Sequence, residues 1–311
     1  MSSAPKSLRP RSAAATLAVI ASRDNKWLKE FRLALRGGLP SESGAVGVEG
    51  PHLVEEALRS ACPIRAVLFS ESGQRHHPRL APYLDRSEVS IPILYTTDRL
   101  FEGIADTEHP QGVAALVTPR SFSFGELLRS PANSGQECAA ALILVLVGVQ
   151  DPGNVGTILR TAAAFGATAA IAAASGQSGT ANPFAPKALR ASAGAGLHLP
   201  VLIGQSAAPA IDQLRTAGIY VMASSSRELI SPEVGSPESG AESQPFLTPW
   251  QVDWCRPVAL LIGNEGQGLP EEIERSADAR IRIPMSSSVE SLNAAAAAAV
   301  LFYEAARQRS S

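Results

Sequence analysis

The stretch ALILVLVGVQDPGNVGTILRTAAAFGA (Ala141–Ala167) decides how this chain reads. Leu142–Val149 is a nearly unbroken apolar run, the pattern of a strand buried on both faces of a parallel sheet. A polar break follows, and helical spacing resumes at Asn154, with Ile158, Leu159, Ala162 and Phe165 on one apolar stripe. Asn154 suits the N-cap of that helix and Gly166 its C-terminal stop. A strand feeding a helix through a short turn is half of a βαβ unit.

The same rhythm continues downstream. Apolar strands are expected at Ala169–Ala173, His198–Ile203, Ile219–Ala223, Val258–Ile262 and Ala279–Ile283. Helices are expected at Pro186–Ser192, Ala207–Thr216, Pro270–Ser276 and from Glu290 to Arg307. This predicts an α/β domain over 139–311, built on a parallel sheet with helices on both faces. Residues 224–249, rich in Ser, Glu, Pro and Gly, are too long for a bare connection and read as a flexible surface insertion.

Upstream, residues 19–118 predict a smaller α/β domain. It has a basic helix around Lys26–Arg36, strands at Ala45–Gly50, Ile64–Phe69, Ile91–Thr97 and Gly112–Val117, and a helix at Leu53–Ser60. The Pro/Ser/Gly-rich segment 119–138 reads as a linker with room for one helical turn. Residues 1–18 form a basic tail.

Composition narrows the function classes. The 311 residues are long enough for two cores, and 45% hydrophobic content with a mean hydropathy of +0.06 reads as globular. The run from Ala139 to Val149 is too short to span a bilayer. Lys6, Arg9 and Arg11 before AAATLAVIA (Ala13–Ala21) loosely imitate an export signal, but the segment is mostly alanine and leads straight into a charged helix. Cys62, Cys138 and Cys255 are too far apart for a zinc site and odd in number, which fits a reducing cytoplasm. Net charge is −2, yet residues 1–36 hold eight Lys/Arg against two acids, a local basic excess that can engage a phosphate backbone.

Three stretches carry chemistry. LLIGNEGQGLP (Leu260–Pro270) runs a strand into a loop with glycines at 263, 266 and 268. The spacing is neither G-x-G-x-x-G nor a P-loop, and Glu265 would repel a phosphate. Glycines at a strand's carboxyl end let backbone groups approach a ligand. A ligand with an adenine and a positive centre but no phosphate, such as S-adenosylmethionine, would suit it; a plain tight turn is the simpler alternative. In the helix after Asn154, Arg160 shares a face with the small residues Gly156, Thr157 and Ala164, an arrangement suited to bidentate contact with a phosphate or carboxylate. In IRIPMSSSVESLNAAAAAAVLFYEAARQR (Ile281–Arg309) a strand ends at Pro284, Ser287 and Glu290 form a capping box, and an alanine-packed helix follows.

Taken together, NVGTILRTAAAFGA, LLIGNEGQGL and IPMSSSVESLNAAAAAAV resemble, in order and spacing, the three motifs of the SpoU/TrmH family of RNA ribose 2′-O-methyltransferases in the SPOUT superfamily. NPFAPKALRASAGA (Asn182–Ala195) resembles the segment between the first two motifs. GVEGPHLVEEAL and ADTEHPQGVAAL resemble the family's ribosomal-protein-like substrate-binding domain. The resemblance covers about residues 19–118 and 139–309.

What the resemblance implies is specific. The C-terminal sheet would carry a deep trefoil knot, and the protein would be a cytoplasmic homodimer acting on RNA, ribosomal in preference to transfer RNA. The cofactor would be S-adenosylmethionine, held at Gly263, Asn264, Gly266, Ile283, Pro284, Met285, Ser291 and Leu292, with no metal. Arg160, Asn154, Glu265 and Asn293 match the catalytic positions. Arg160 would grip the target phosphate and 2′-hydroxyl, Asn154 and Asn293 would orient the ribose and Arg160, and Glu265 would tether Arg160 or the loop. Lys26, Lys29, Arg32, Lys187 and Arg190 would contact RNA backbone. His109 and His198 lie outside the motifs. The rival readings are a base-nitrogen methyltransferase of the same superfamily and a catalytically silent RNA-binding or ribosome-assembly factor; a dehydrogenase would need the phosphate fingerprint this chain lacks.

Overall fold

The structure, a computed structural model, describes residues 18–36, 44–85, 90–129, 140–177, 179–225, 246–286 and 291–310. The basic tail with Lys6, Arg9 and Arg11, residues 226–245 of the expected insertion, the second half of the linker with Cys138, and the Ser287–Glu290 capping box lie outside the described residues.

The N-terminal unit comprises β1 (Ala18–Ile20), α1 (Lys26–Arg36), β2 (Val46–Glu49), α2 (Pro51–Arg59), β3 (Ile64–Ser70), α3 (His77–Leu84), β4 (Ile93–Thr96), α4 (Asp98–Glu102) and β5 (Val113–Val117). Its mixed sheet has the order β1-β4-β3-β5-β2, with β3 and β4 parallel and β5 antiparallel to both β2 and β3. Alternation along the strands splits the core. Ala66, Leu68, Ala114 and Leu116 meet Leu28, Phe31 and Leu35 of α1 on one face. Val67, Phe69, Val113 and Ala115 meet Leu53 and Val54 of α2 and Leu80 of α3 on the other. Three elements escaped the sequence reading: β1 came out of the alanine-rich segment that imitates an export signal, α3 is short with an internal Pro82, and α4 is a five-residue helix capped by Thr97.

The segment expected to be a linker contains α5 (Phe124–Arg129). Its Leu127 is fully buried against Ile143 and Val145 of the next sheet, so this turn packs as part of the C-terminal unit.

The C-terminal unit follows with β6 (Leu142–Val147), α6 (Pro152–Ala164), β7 (Ala169–Ala174), α7 (Pro186–Ala191), β8 (Val201–Ser206), α8 (Ala207–Thr216), β9 (Tyr220–Ser224), β10 (Phe246–Leu247), β11 (Val258–Ile262), α9 (Glu271–Ser276), β12 (Ala279–Ile281) and α10 (Ala294–Arg309). All seven strands are parallel, in the order β10-β12-β9-β11-β6-β7-β8. Leu142, Leu144 and Leu146 face the core that includes α6 and α10, whereas Ile143, Val145 and Val147 face that of α8 and α9. That two-sided burial is why β6 reads as an apolar run with no alternation.

Several expectations are corrected. Asp151, not Asn154, caps α6: its Oδ1 accepts from the Asn154 backbone N–H at 2.9 Å, and Pro152, lacking an N–H, opens the helix. The strand expected from His198 starts at Val201, because a 3₁₀ turn at Ala195–Leu197 holds His198 back. Phe246–Leu247, assigned to the insertion, joins the sheet as its edge strand β10.

The two units share a continuous apolar core, reinforced by polar contacts at its rim. Arg190 of α7 pairs with Asp106 at 2.8 Å, His198 Nε2 lies 3.0 Å from Glu56 of α2, and the Cys62 thiol reaches the Leu197 carbonyl. Gly194, at φ 84°, lets the chain pass against Glu56, where a Cβ would sit 2.8 Å from the Glu56 Cβ.

Candidate active site

At the carboxyl ends of β9, β11 and β12, beneath the start of α10, lies a cavity of about 350 Å³. Its walls come from the loop after β11 (Gly263–Gly268), from Ile283, Met285, Ser291 and Leu292, and from Ala294, Ala297 and Leu301 of α10. Open parallel sheets place ligands at such an edge.

The loop after β11 is a closed finger. Asn264 and Gly268 exchange two backbone hydrogen bonds at 2.9 and 3.0 Å, with Gly268 at φ 71°. The Asn264 side chain accepts from the backbone of Gly266 and Gln267 and donates to the Gly148 carbonyl at 3.0 Å, pinning the finger to the end of β6. Gly263 is required here, since a Cβ would sit 2.4 Å from the Gly268 carbonyl carbon. Gly266 faces no such constraint.

Glu265 leaves the finger toward α6. The Asn154 amide nitrogen donates to Glu265 Oε1 at 2.8 Å, and the Asn293 amide lies 3.5 Å from Asn154 Oδ1. Asn293 is also the N-cap of α10, accepting from the Ala295 backbone at 2.8 Å. An ionised carboxylate only accepts, so Glu265 dictates that Asn154 points its NH2 at the finger and its carbonyl oxygen the other way. Three of the four residues matched to catalysis thus form one chain of contacts, and Glu265 tethers Asn154.

Arg160 stands apart. Six residues on from Asn154 it lies about 120° round the helix from it, is exposed, and has no hydrogen-bond or ion-pair partner among the described residues. One neighbour is small for a different reason than expected. Gly156 is buried under α7, where a Cβ would sit 2.2 Å from the Ala188 carbonyl oxygen. It allows helix packing and clears no space for a ligand.

Of the residues matched to cofactor binding, Gly263, Asn264, Gly266, Ile283, Met285, Ser291 and Leu292 line the cavity. Pro284 does not; it lies beside Phe246, Leu247 and Arg282. Sequence reasoning missed Ser224, Ser225, Glu274, Ala297 and Leu301, which line it from β9, α9 and α10. Only their neighbours in space mark them, and no local spacing does. Among the described residues the lining holds two carboxylates, Glu265 and the buried Glu274, and no lysine or arginine. A cationic, phosphate-free ligand fits that charge.

The cationic candidates divide. Lys187 pairs with Asp151 at 2.6 Å, holding the Asp151 carboxyl below the usual range together with the Asn154 backbone N–H, and Arg190 is engaged with Asp106. On α1, whose other face is buried, Lys26 lies 6.0 Å from the Trp27 ring, Lys29 pairs with Asp24, and Arg32 is half-buried without a partner among the described residues.

Comparison with known proteins gives the family. Residues 141–303 match the SpoU rRNA Methylase family, and residues 48–123 match the RNA 2′-O ribose methyltransferase substrate binding family. An uncharacterized tRNA/rRNA methyltransferase of Synechocystis sp. is 33% identical over 94% of this chain and 95% of its own length. The 23S rRNA (guanosine(2553)-2′-O)-methyltransferase RlmP of Bacillus subtilis is 28% identical over 91% of this chain and 97% of its own. Among solved structures, the AdoMet-bound rRNA methyltransferase from Sinorhizobium meliloti superposes with a TM-score of 0.72 at 27% identity, covering 94% of this chain and 98% of that one. The SpoU methyltransferase AviRb from Streptomyces viridochromogenes, in complex with AdoMet, gives 0.70 at 27%, covering 92% and 98%.

The fold and the cavity therefore define an RNA methyltransferase preceded by its own substrate-binding domain. Within that class, the chain belongs to the SpoU rRNA Methylase family.

Proposed function

We propose that the chain transfers the methyl group of S-adenosylmethionine to a ribose 2′-hydroxyl of ribosomal RNA. The observation that carries the reading is the contact chain Glu265–Asn154–Asn293, which joins the cavity wall to the N-terminal ends of α6 and α10. The relative RlmP, named for 2′-O-methylation of 23S rRNA, supports ribosomal over transfer RNA.

The cavity fits the cofactor on charge and shape. When bound, S-adenosylmethionine supplies an electrophilic methyl on a cationic sulfur. The chain's own part is alignment and proton handling. Backbone groups at Gly263, Ile283 and Leu292 hold the cofactor beside the carboxylates. Asn154, its amide turned by Glu265, presents its carbonyl oxygen to the ribose, and Asn293 steadies it. Arg160 grips the phosphate of the target nucleotide together with its 2′-hydroxyl, with that phosphate able to share the proton, since a guanidinium stays charged. Exposure without a partner among the described residues suits Arg160 to this task.

The family reading extends to a knotted chain path, a cytoplasmic setting and a homodimer. Val300 and Tyr303 on the outer face of α10, with Tyr303 edge-on to Phe165, offer apolar surface to a second copy. The outer face of α1, carrying Lys26, Lys29 and Arg32, would position RNA through its backbone. Among the described residues no helix is long and apolar enough to cross a membrane.

The test is methyl transfer from labelled S-adenosylmethionine to total bacterial RNA, with Arg160→Ala alongside. Label recovered in large RNA as alkali-resistant dinucleotides, and lost in the variant, is the expected result. Label on a base would overturn the ribose reading.

A further inference from the structure

Adjoining the cofactor cavity along the finger, with Asn264, Gln267 and Gly268 lining both, lies a second cavity of about 360 Å³. Gly148 and Gln150 from the loop after β6, Ser175 after β7, and Asn264, Gln267, Gly268, Leu269 and Pro270 line it. We propose that this cavity is a nucleobase subsite, in which Gln150 and Ser175 read the edge of an unstacked base of the RNA substrate. The inference rests on the methyl-transfer reading above and adds a residue-level account of which nucleotide the enzyme selects.

Size and charge both favour a base. The volume falls within the range of about 300–1,000 Å³ usual for small-ligand clefts. Among the described residues no lysine or arginine lines the cavity; Glu272 stands directly beyond Pro270, beside Glu271, which is paired with Arg275. With no cation in the described lining to hold a phosphate, the occupant is a neutral part of the RNA. The Gln150 amide is exposed, and it and the Ser175 hydroxyl have no partner among the described residues. An amide offers a donor and an acceptor together, the pattern that matches a base edge. Pro270 adds apolar surface for the flat ring face.

Position favours it as well. Gln150 precedes Asp151, the cap of the helix that carries Asn154 and Arg160. Glu265 lines the first cavity, and Gln267 on the same finger lines both, so the two cavities adjoin along the finger. A ribose presented to Asn154 therefore leaves a base of the same strand within reach of this second cavity. Sequence-specific RNA recognition works through such splayed, unstacked bases, and enzymes that extrude a base read its edge in a shaped pocket.

The test combines side-chain amide NMR with kinetics on the full chain. Short single-stranded oligoribonucleotides, each with a different base at the centre of a common flank, are titrated into the labelled protein. The Gln150 side-chain resonances should shift with one base class in preference to the others. Gln150→Ala should lose that preference and lower kcat/KM on ribosomal RNA about tenfold to hundredfold, while calorimetry shows unchanged affinity for S-adenosylmethionine. Unmoved Gln150 resonances with every oligoribonucleotide, or a Gln150→Ala enzyme with full kcat/KM and unaltered base preference, would overturn the subsite. Should the unmodified chain transfer no methyl group to any RNA, the reaction reading fails, and the NMR arm still decides the pocket.

Discussion

The Asn154 amide nitrogen donates to Glu265 Oε1 at 2.8 Å although 111 positions separate the two residues. One lies in the first turn of α6 and the other on the finger after β11. The contact exists because β6 and β11 are neighbours in the sheet and send their following segments to the same edge.

If Glu265 orients Asn154, Glu265→Ala should lower kcat by about a hundredfold, the scale of a misplaced catalytic group. Glu265→Gln, which keeps an acceptor for the Asn154 NH2, should retain much more of the turnover. Equal losses in the two variants by labelled methyl transfer would point to the charge of Glu265 and away from its geometry.

Arg160→Lys tests the bidentate grip. A lysine keeps the charge and loses the planar fork, so kcat/KM should fall by about tenfold or more with cofactor affinity intact. Full activity in Arg160→Lys would sink the grip and leave charge as the whole contribution.

Gly156→Ala should destabilise the protein by about 1–3 kcal/mol, because its Cβ would press on the Ala188 carbonyl and force α7 off α6. A lower Tm in calorimetry, with weaker docking of the N-terminal unit through Arg190, is the expected outcome. An unchanged Tm would show that α7 yields freely.

At the far end of α10, the Arg309 guanidinium is buried and donates to the carbonyls of Trp254 at 2.8 Å, Ala140 at 2.6 Å, and Ala141 and Arg256 at 3.2 Å. These carbonyls lead into β6 and β11. Arg309→Ala would remove the side-chain donor from all four carbonyls, of which Ala141 keeps the Val258 backbone N–H, and should cost about 3 kcal/mol or more. Urea unfolding measures this, and a loss under about 0.5 kcal/mol, as for an ordinary surface change, would contradict the latch.

One acid-sensitive contact sits on the same helix. The Arg307 guanidinium, helped by the Gln308 amide, pulls the Glu304 carboxyl from the usual 4.5 to about 2. The folded value is the lower one, so the contribution is complete above 4.5 and is lost as pH falls through about 2. Across that window the urea midpoint of Glu304→Gln should decline less steeply than that of the unmodified chain. Parallel slopes would show that the pair contributes nothing.

Much of the fold was legible because burial on both faces leaves a plain trace. The apolar runs of β6 and β11 and the stripe of α6 each depend on neighbours within a few residues. Short elements held by distant packing were not legible: β1, α3 and β10 have weak local patterns and are stabilised by strands far along the chain. The cap of α6 was misread for a related reason. Asp151 and Asn154 are both good capping residues, and the choice fell to Asp151, braced by Lys187 from α7.

By itself, then, the sequence determined a parallel sheet covered by helices and the glycine finger after β11, which follow from local periodicity and backbone freedom, while the motif positions came from the resemblance to the SpoU/TrmH family. Only the tertiary structure decided that Glu265 holds Asn154, that Glu274 and Ser224 wall the cavity beside the glycine finger, and that Arg190 is spent between the two units. These are contacts between segments tens to more than a hundred residues apart. No periodicity connects such segments, and strand order in the sheet sets their proximity.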